Sequence, residues 1–198
     1  MKRWQVERAP SPEQIDEIAA TFKDGGVILM PTDTVYGLHA IAASDGVARI
    51  ANLKNRDESK RFVTIAASID QVRAMGLHVP DVLRDIWPAA LTAILQGGGE
   101  PPQSTAIRVP DLAWLRSLLD RTGPLISTSA NRSGEPPITF PGELAYDLQN
   151  ALDGIVDAGP REGKASAIVD FTGEHPRVIR EGDSRFAQFL RKTLRKTL

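Results

Sequence analysis

The stretch Gly25-Gly-Val-Ile-Leu-Met-Pro-Thr-Asp-Thr-Val-Tyr-Gly37 decides the fold. Its paired glycines stop a helix. That helix starts at Ser11-Pro12-Glu13, with Ser as cap and Pro at the first helical position, and it carries Ile15, Ile18, Ala19 and Phe22 on one face. Val27 to Met30 is a short apolar run closed by Pro31, which predicts a buried strand. In α/β sheets, polar groups just beyond a strand end are the usual ligand-facing positions, and Thr32, Asp33 and Thr34 stand there. The same residues also suit a plain turn in which Thr and Asp bond the local backbone.

Outward from this stretch the pattern repeats. Ser44 or Asp45 caps a second helix with Val47, Ile50, Ala51 and Leu53 inward. Strands are predicted over Phe62 to Ala67, Leu91 to Leu95, Thr105 to Val109, Leu125 to Thr128 and Gly154 to Asp157. Ala167 to Phe171 and Arg177 to Arg180 read as a pair joined by a polar turn. Helices are expected from about Ser68, near Pro80 to Trp87, over Leu112 to Leu119, over Gly142 to Leu152, and from near Ser184. This alternation predicts an α/β domain with a mixed sheet. The 198 residues suit a single domain spanning 1–198, and the most linker-like segment, Gly97 to Pro102, is too short to divide it.

Composition narrows the chemistry. With 24 basic and 25 acidic residues the net charge is −1, so global charge selects no partner. Local charge is less even: no acid follows Asp183, while Arg185, Arg191, Lys192, Arg195 and Lys196 do, a solvated helix face or an RNA contact. The chain has no cysteine, which removes disulfides, thiolate catalysis and cysteine-held zinc. No apolar run reaches membrane-spanning length, so a cytoplasmic setting without membrane contact is expected. The phosphate-loop pattern and the G-x-S-x-G elbow are both absent, and the three histidines lack metal-ligand spacing.

Five segments carry candidate chemistry. Lys54, Arg56, Lys60 and Arg61 lie within eight residues at a helix end, where cations offset the helix dipole. Lys60 and Arg61 lie beyond that end, and a polyphosphate would suit such a group. Ser104 to Pro110 sets Arg108 inside an apolar strand, where a guanidinium must meet a carboxylate or a phosphate. Pro124 to Pro137 places Ser127, Thr128, Ser129 and Asn131 at a strand end. As a nucleophile a serine needs a base, and no nearby histidine offers one, so a cradle of neutral hydrogen-bonding groups is the better reading. Ser166 and Arg180 add a hydroxyl and a cation at two further strand ends.

Taken in order, GGVILMPTDTVYGL, LKNR with Lys60 behind it, STAIRVPD, PLISTSANRSGEPP, and SAIVDF followed by VIREG resemble the TsaC/YrdC family. The chain is identified as similar to its short single-domain form, threonylcarbamoyl-AMP synthase, over Gly25 to Gly182. The resemblance implies a twisted, mostly mixed open sheet flanked by helices, with a concave basic cleft. It implies a nucleotidyltransferase that makes threonylcarbamoyl-adenylate and pyrophosphate from L-threonine, bicarbonate and ATP, with Mg²⁺, for the t6A modification of tRNA. It implies no covalent nucleophile, only positioning and charge neutralisation. Carried over residue by residue, Thr32, Thr34, Tyr36, Arg108, Ser127 and Ser166 would hold threonine. Lys54, Arg56, Lys60, Ser104, Ser129, Asn131 and Arg180 would hold ATP, with metal ligands unassigned. The expected partners are tRNA or double-stranded RNA and a downstream threonylcarbamoyl transferase machinery. The alternatives are an RNA-binding relative without synthase activity, a carbamoyl-adenylate enzyme of related chemistry and a plain nucleotide-binding regulator. The chain departs from the family's pattern at Asp57, at Arg61-Phe62 and at Ala89-Ala90.

Overall fold

The computed structural model describes residues 1–54, 62–131, 135–183, 188 and 190–192. β1 (Lys2–Gln5) leads to α1 (Pro12–Lys23), β2 (Ile28–Pro31), β3 (Tyr36–Ile41) and α2 (Gly46–Leu53). β4 (Val63–Ile65), α3 (Ile69–Ala74), α4 (Val82–Ile86), β5 (Leu91–Gln96) and β6 (Ser104–Arg108) follow. Then come α5 (Ala113–Thr122), β7 (Leu125–Ser129), a 3₁₀ turn (Pro141–Glu143), α6 (Tyr146–Asn150), β8 (Gly154–Asp157), β9 (Ala167–Asp170) and β10 (Arg177–Arg180). Among the described residues no helix is long and apolar enough to cross a membrane.

The ten strands form one sheet in the order β1-β8-β2-β3-β7-β4-β6-β5-β9-β10. β1 and β2 flank β8 in parallel, β4 runs parallel to β6, and β5 runs parallel to β9. The remaining neighbours are antiparallel, so the sheet is mixed as expected.

Helices cover both faces of the sheet around β2, because β2 is buried and apolar on both faces. On β2, Ile28 and Met30 join the core under α1 and α5, while Leu29 joins the core under α2 and α6. This alternation is the period of two of a strand sandwiched between helix layers. Ser11 caps α1 by accepting from the Gln14 amide, and the Gln14 side chain accepts from the Ser11 amide. Ile15, Ile18, Ala19 and Phe22 then pack on Trp114, Leu115, Leu118 and Leu119 of α5. A third core lies under α3 and α4, against Leu91, Ala93, Leu95 and Ile107.

Three expectations need revision. β3 was not anticipated, because Gly37 and His39 break up an apolar run. β1 was not anticipated, because Lys2 and Arg3 sit in it. The helix expected over Gly142 to Leu152 is a 3₁₀ turn followed by the five residues of α6, since Leu144 and Ala145 are extended between them. Ser184, where the last helix is expected to start, lies outside the described residues; Gln188 and Leu190 to Lys192 are helical, and Leu190 is buried in the third core.

Candidate functional site

On β5 and β6 the residues Leu91, Ala93, Leu95 and Ile107 face a helix layer, so Thr92, Ile94, Ala106 and Arg108 point the other way. That other face is the floor of a cavity of about 360 Å³. β7 adds Ser127 and Ser129, the start of β9 adds Ser166, and β10 adds Arg180. The turn after β2 closes one side with Thr32 and Thr34. A cavity of this size is within the range that holds small polar ligands.

The Thr32–Thr34 side is tightly ordered. The Thr32 and Thr34 hydroxyls are 2.9 Å apart, and the Arg108 Nη1 donates to Thr34 Oγ1 at 2.9 Å. The same nitrogen makes an ion pair with Asp33 at 3.2 Å, both side chains being almost fully buried. Burial pushes the Arg108 guanidinium down, the Asp33 carboxylate holds it up, and the like charge of Arg180 pushes it down again. Arginine is protonated throughout the ordinary pH range, so a fixed positive charge sits in a place of low water access. Its Nε has no hydrogen-bond partner among the described residues.

Across the cavity, Ser166 Oγ lies 2.8 Å from the fully buried Thr92 Oγ1. Arg180 donates from Nε to the Ser166 carbonyl at 2.9 Å and reaches Ser166 Oγ at 3.4 Å from Nη2. Burial pushes the Arg180 guanidinium down as well. Two cations and a ring of hydroxyls therefore face one space. That combination binds anionic oxygen.

Beside the floor, the turn after β7 is held by a buried lysine. Lys54 Nζ donates to the Ser129 carbonyl at 2.5 Å and to Asn131 Oδ1 at 3.4 Å. Ser129 Oγ donates to Asn131 Oδ1 at 2.5 Å. The expected Ser129–Asn131 pair is thus one unit with Lys54.

The loop from Ala158 to Ser166 passes over the Thr32–Val35 turn as a strap. Tyr36 accepts from the Ala158 amide at 3.0 Å and donates to the Gly159 carbonyl at 2.8 Å. Gly163 lies so close to the Thr34 carbonyl that a Cβ there would overlap it, which leaves room only for glycine.

Of the residues expected to hold threonine, Thr32, Thr34, Arg108, Ser127 and Ser166 stand on the cavity wall. Tyr36 does not. It falls on the opposite side of β3, fully buried with Leu38 and Ala40, and its hydroxyl anchors the strap. Of the residues expected to hold ATP, Ser129 and Arg180 are on the wall, and Lys54 and Asn131 form the unit beside it. Ser104 shares the face of Arg108 but begins the strand, away from the wall. Arg56 and Lys60 lie outside the described residues. Among the described residues the charged groups on the wall are Arg108 and Arg180.

Sequence reasoning missed Thr92, Asp33 as the partner of Arg108, and His39. It also held that no histidine approaches the serine cluster, yet His39 Nε2 lies 3.1 Å from Ser127 Oγ. The two are distant in sequence and meet because β3 and β7 pair in the register His39↔Ser127. Thr92 had one legible signal: a polar residue between Leu91 and Ala93 must face away from their core.

The family profile described as Telomere recombination (Sua5_yciO_yrdC) matches residues 20–182. The chain is 33% identical over 200 residues to the threonylcarbamoyl-AMP synthase of Bacillus subtilis, covering 91% of this chain and 58% of that protein. It is 33% identical over 177 residues to the threonylcarbamoyl-AMP synthase of Coxiella burnetii, covering 82% of this chain and 95% of that one. The crystal structure of Pyrococcus abyssi Sua5 complexed with L-threonine superposes with a TM-score of 0.83 at 26% identity, over 92% of this chain and 58% of that one. The chain therefore spans somewhat over half of the Bacillus and Pyrococcus proteins and nearly all of the Coxiella one.

Proposed function

The chain belongs to the Sua5/YciO/YrdC family, and on that premise we propose that it is a threonylcarbamoyl-AMP synthase using L-threonine, bicarbonate and ATP. The observation that carries the reading is the convergence of Thr34, Arg108, Ser127, Ser166 and Arg180 on one cavity. Neutral hydroxyls flanked by two fixed cations suit an amino-acid carboxylate at one end and phosphate at the other.

In this reading bicarbonate gives carbon dioxide and hydroxide, the threonine amine attacks the carbon, and the proton the amine loses joins the hydroxide as water, leaving a carbamate. A carbamate oxygen then attacks the α-phosphorus of ATP, the α–β anhydride bond breaks, and pyrophosphate leaves. Neither step needs an enzyme nucleophile. Both need two anions held together, which costs electrostatic repulsion unless cations are already in place. Arg108 has donors beyond those it gives to Thr34 and Asp33, and these suit the threonine carboxylate. Arg180, braced on Ser166, would neutralise the charge that grows on the phosphates. Lys54 would act through the Ser129–Asn131 turn as well as by its charge. Mg²⁺ would travel on the phosphates of ATP: among the described residues no group of three or more His, Cys, Asp or Glu could cage it, and no step is assigned to it. The product would pass to a transferase that modifies tRNA.

The test is pyrophosphate release by the purified chain. Release that requires ATP, threonine and bicarbonate together is expected. Release that ignores bicarbonate, or none at all with RNA retained at moderate salt, would put an RNA-binding role in its place.

A further inference from the structure

His39 and Ser127 are cross-strand partners on β3 and β7. The imidazole is wholly buried, and Gly37 makes room for it: a Cβ on Gly37 would come within 2.8 Å of the ring's Cε1. Nε2 lies 3.1 Å from Ser127 Oγ, while Nδ1 has no hydrogen-bond partner among the described residues. Burial first, and then the neighbouring Arg108 charge, hold the pKa at about 3 against the Ile28 and Gly37 backbone, which pulls it up, so the ring is neutral and carries one proton.

The contacts decide where that proton sits. On Nδ1 it would be a buried N–H that meets no described acceptor in hydrogen-bond geometry, which proteins rarely tolerate. On Nε2 it is bonded to Ser127. The lone pair then left on Nδ1 is the smaller cost. An Nε2–H donating to Ser127 Oγ cannot also take the serine proton, so the pair is no nucleophile and base. Among the described residues no carboxylate stands behind Nδ1 to reverse the tautomer. With its oxygen engaged as acceptor, Ser127 must send its own hydrogen elsewhere. It has no second partner among the described residues, and it lines the cavity.

We propose that His39 is a positioning residue that makes Ser127 a committed hydrogen-bond donor toward a ligand oxygen in the cavity. The ligand's identity as threonine or its carbamate rests on the function proposed above; the tautomer does not.

Two measurements test this on the full chain. Long-range proton–nitrogen correlation at pH 7 should show a protonated Nε2 and a bare Nδ1, with the His39 signals assigned by their loss in His39→Gln. A proton on Nδ1, or a doubly protonated ring, overturns the proposal. Threonine affinity by calorimetry supplies the second measurement. His39→Leu should weaken binding about tenfold, the size of one lost hydrogen bond, and His39→Gln, which keeps a donor, should recover most of it. In a Ser127→Ala background, His39→Leu should add nothing. An equal loss in both backgrounds, or failure of Gln to rescue, would reduce His39 to packing. If the unaltered chain binds no threonine, the synthase reading falls, and the nitrogen spectrum still decides the proposal.

Discussion

At the scale of single residues, the buried pair Asp33–Arg108 carries the most consequence. Neither side chain can be rehydrated in place, so removing one partner strands the other's charge. Asp33→Ala should lower stability by about 3–5 kcal/mol in urea denaturation, as expected when a buried pair is broken. His39 makes a second prediction, with a definite sign. Its ordinary pKa of 6.5 applies in the unfolded chain and about 3 in the folded one. Below 6.5 the unfolded chain therefore binds a proton that the folded one refuses. The stability that His39 allows is fully present above about 6.5 and is lost progressively as pH falls toward 3. Asp157 and Asp170, whose carboxyls are held low by Arg3 and Thr172, lose their contributions in acid too. The comparison must therefore be with His39→Leu, whose stability should fall less over that range. Arg108 and the serine cluster were legible in the sequence because a cation in an apolar strand and a hydroxyl run at a strand end are each unusual locally. His39 was not, because its meaning lies in a register between strands that no local pattern encodes.

At the scale of elements, α1 and the strap over the Thr32–Val35 turn make contrasting predictions. Phe22 is fully buried between α1 and α5 and is remote from the cavity wall. Phe22→Ala should cost about 3–5 kcal/mol in chemical denaturation and leave threonine affinity unchanged. Gly163→Ala should act on the site itself. Its Cβ would collide with the Thr34 carbonyl, so the turn carrying Thr32 and Thr34 must shift, and calorimetry should show weakened threonine binding. Helices and strands with clean stops were readable: Ser11-Pro12 and Gly25-Gly26 bound α1 almost to the residue. β1 and β3 were not, since their pairing with neighbours outweighs the charges in one and the glycine in the other. The tight packing of Gly163 on Thr34 is a contact across more than a hundred residues, which no sequence window can contain.

At the scale of the whole molecule, the sheet joins three cores in one hydrogen-bonded ladder from β1 to β10. Protection should fall from centre to edge. Amides of β3 and β7, paired on both sides and covered, should exchange slowest. Those of β10, whose four residues are all exposed and which among the described residues pairs only with β9, should exchange orders of magnitude faster. Equal protection across the sheet would contradict this layering. The α/β class and the mixed sheet were readable from alternation alone. The strand order was not, because β8 inserts between β1 and β2 from late in the chain.

The cavity floor is drawn from Thr32 to Arg180, and this gives it a role in the chain's endurance. A ligand seated there touches strands that pack on different cores, β6 on one and β7 on the other two. Local opening of the turn after β2, the end of β7 or β10 would each have to release it. Saturation at about a hundred times the dissociation constant adds roughly 2.7 kcal/mol to the folded state by mass action. Protease resistance and melting temperature should therefore rise together with threonine and ATP, and cleavage should slow at sites as far apart in sequence as the Thr32 turn and β10.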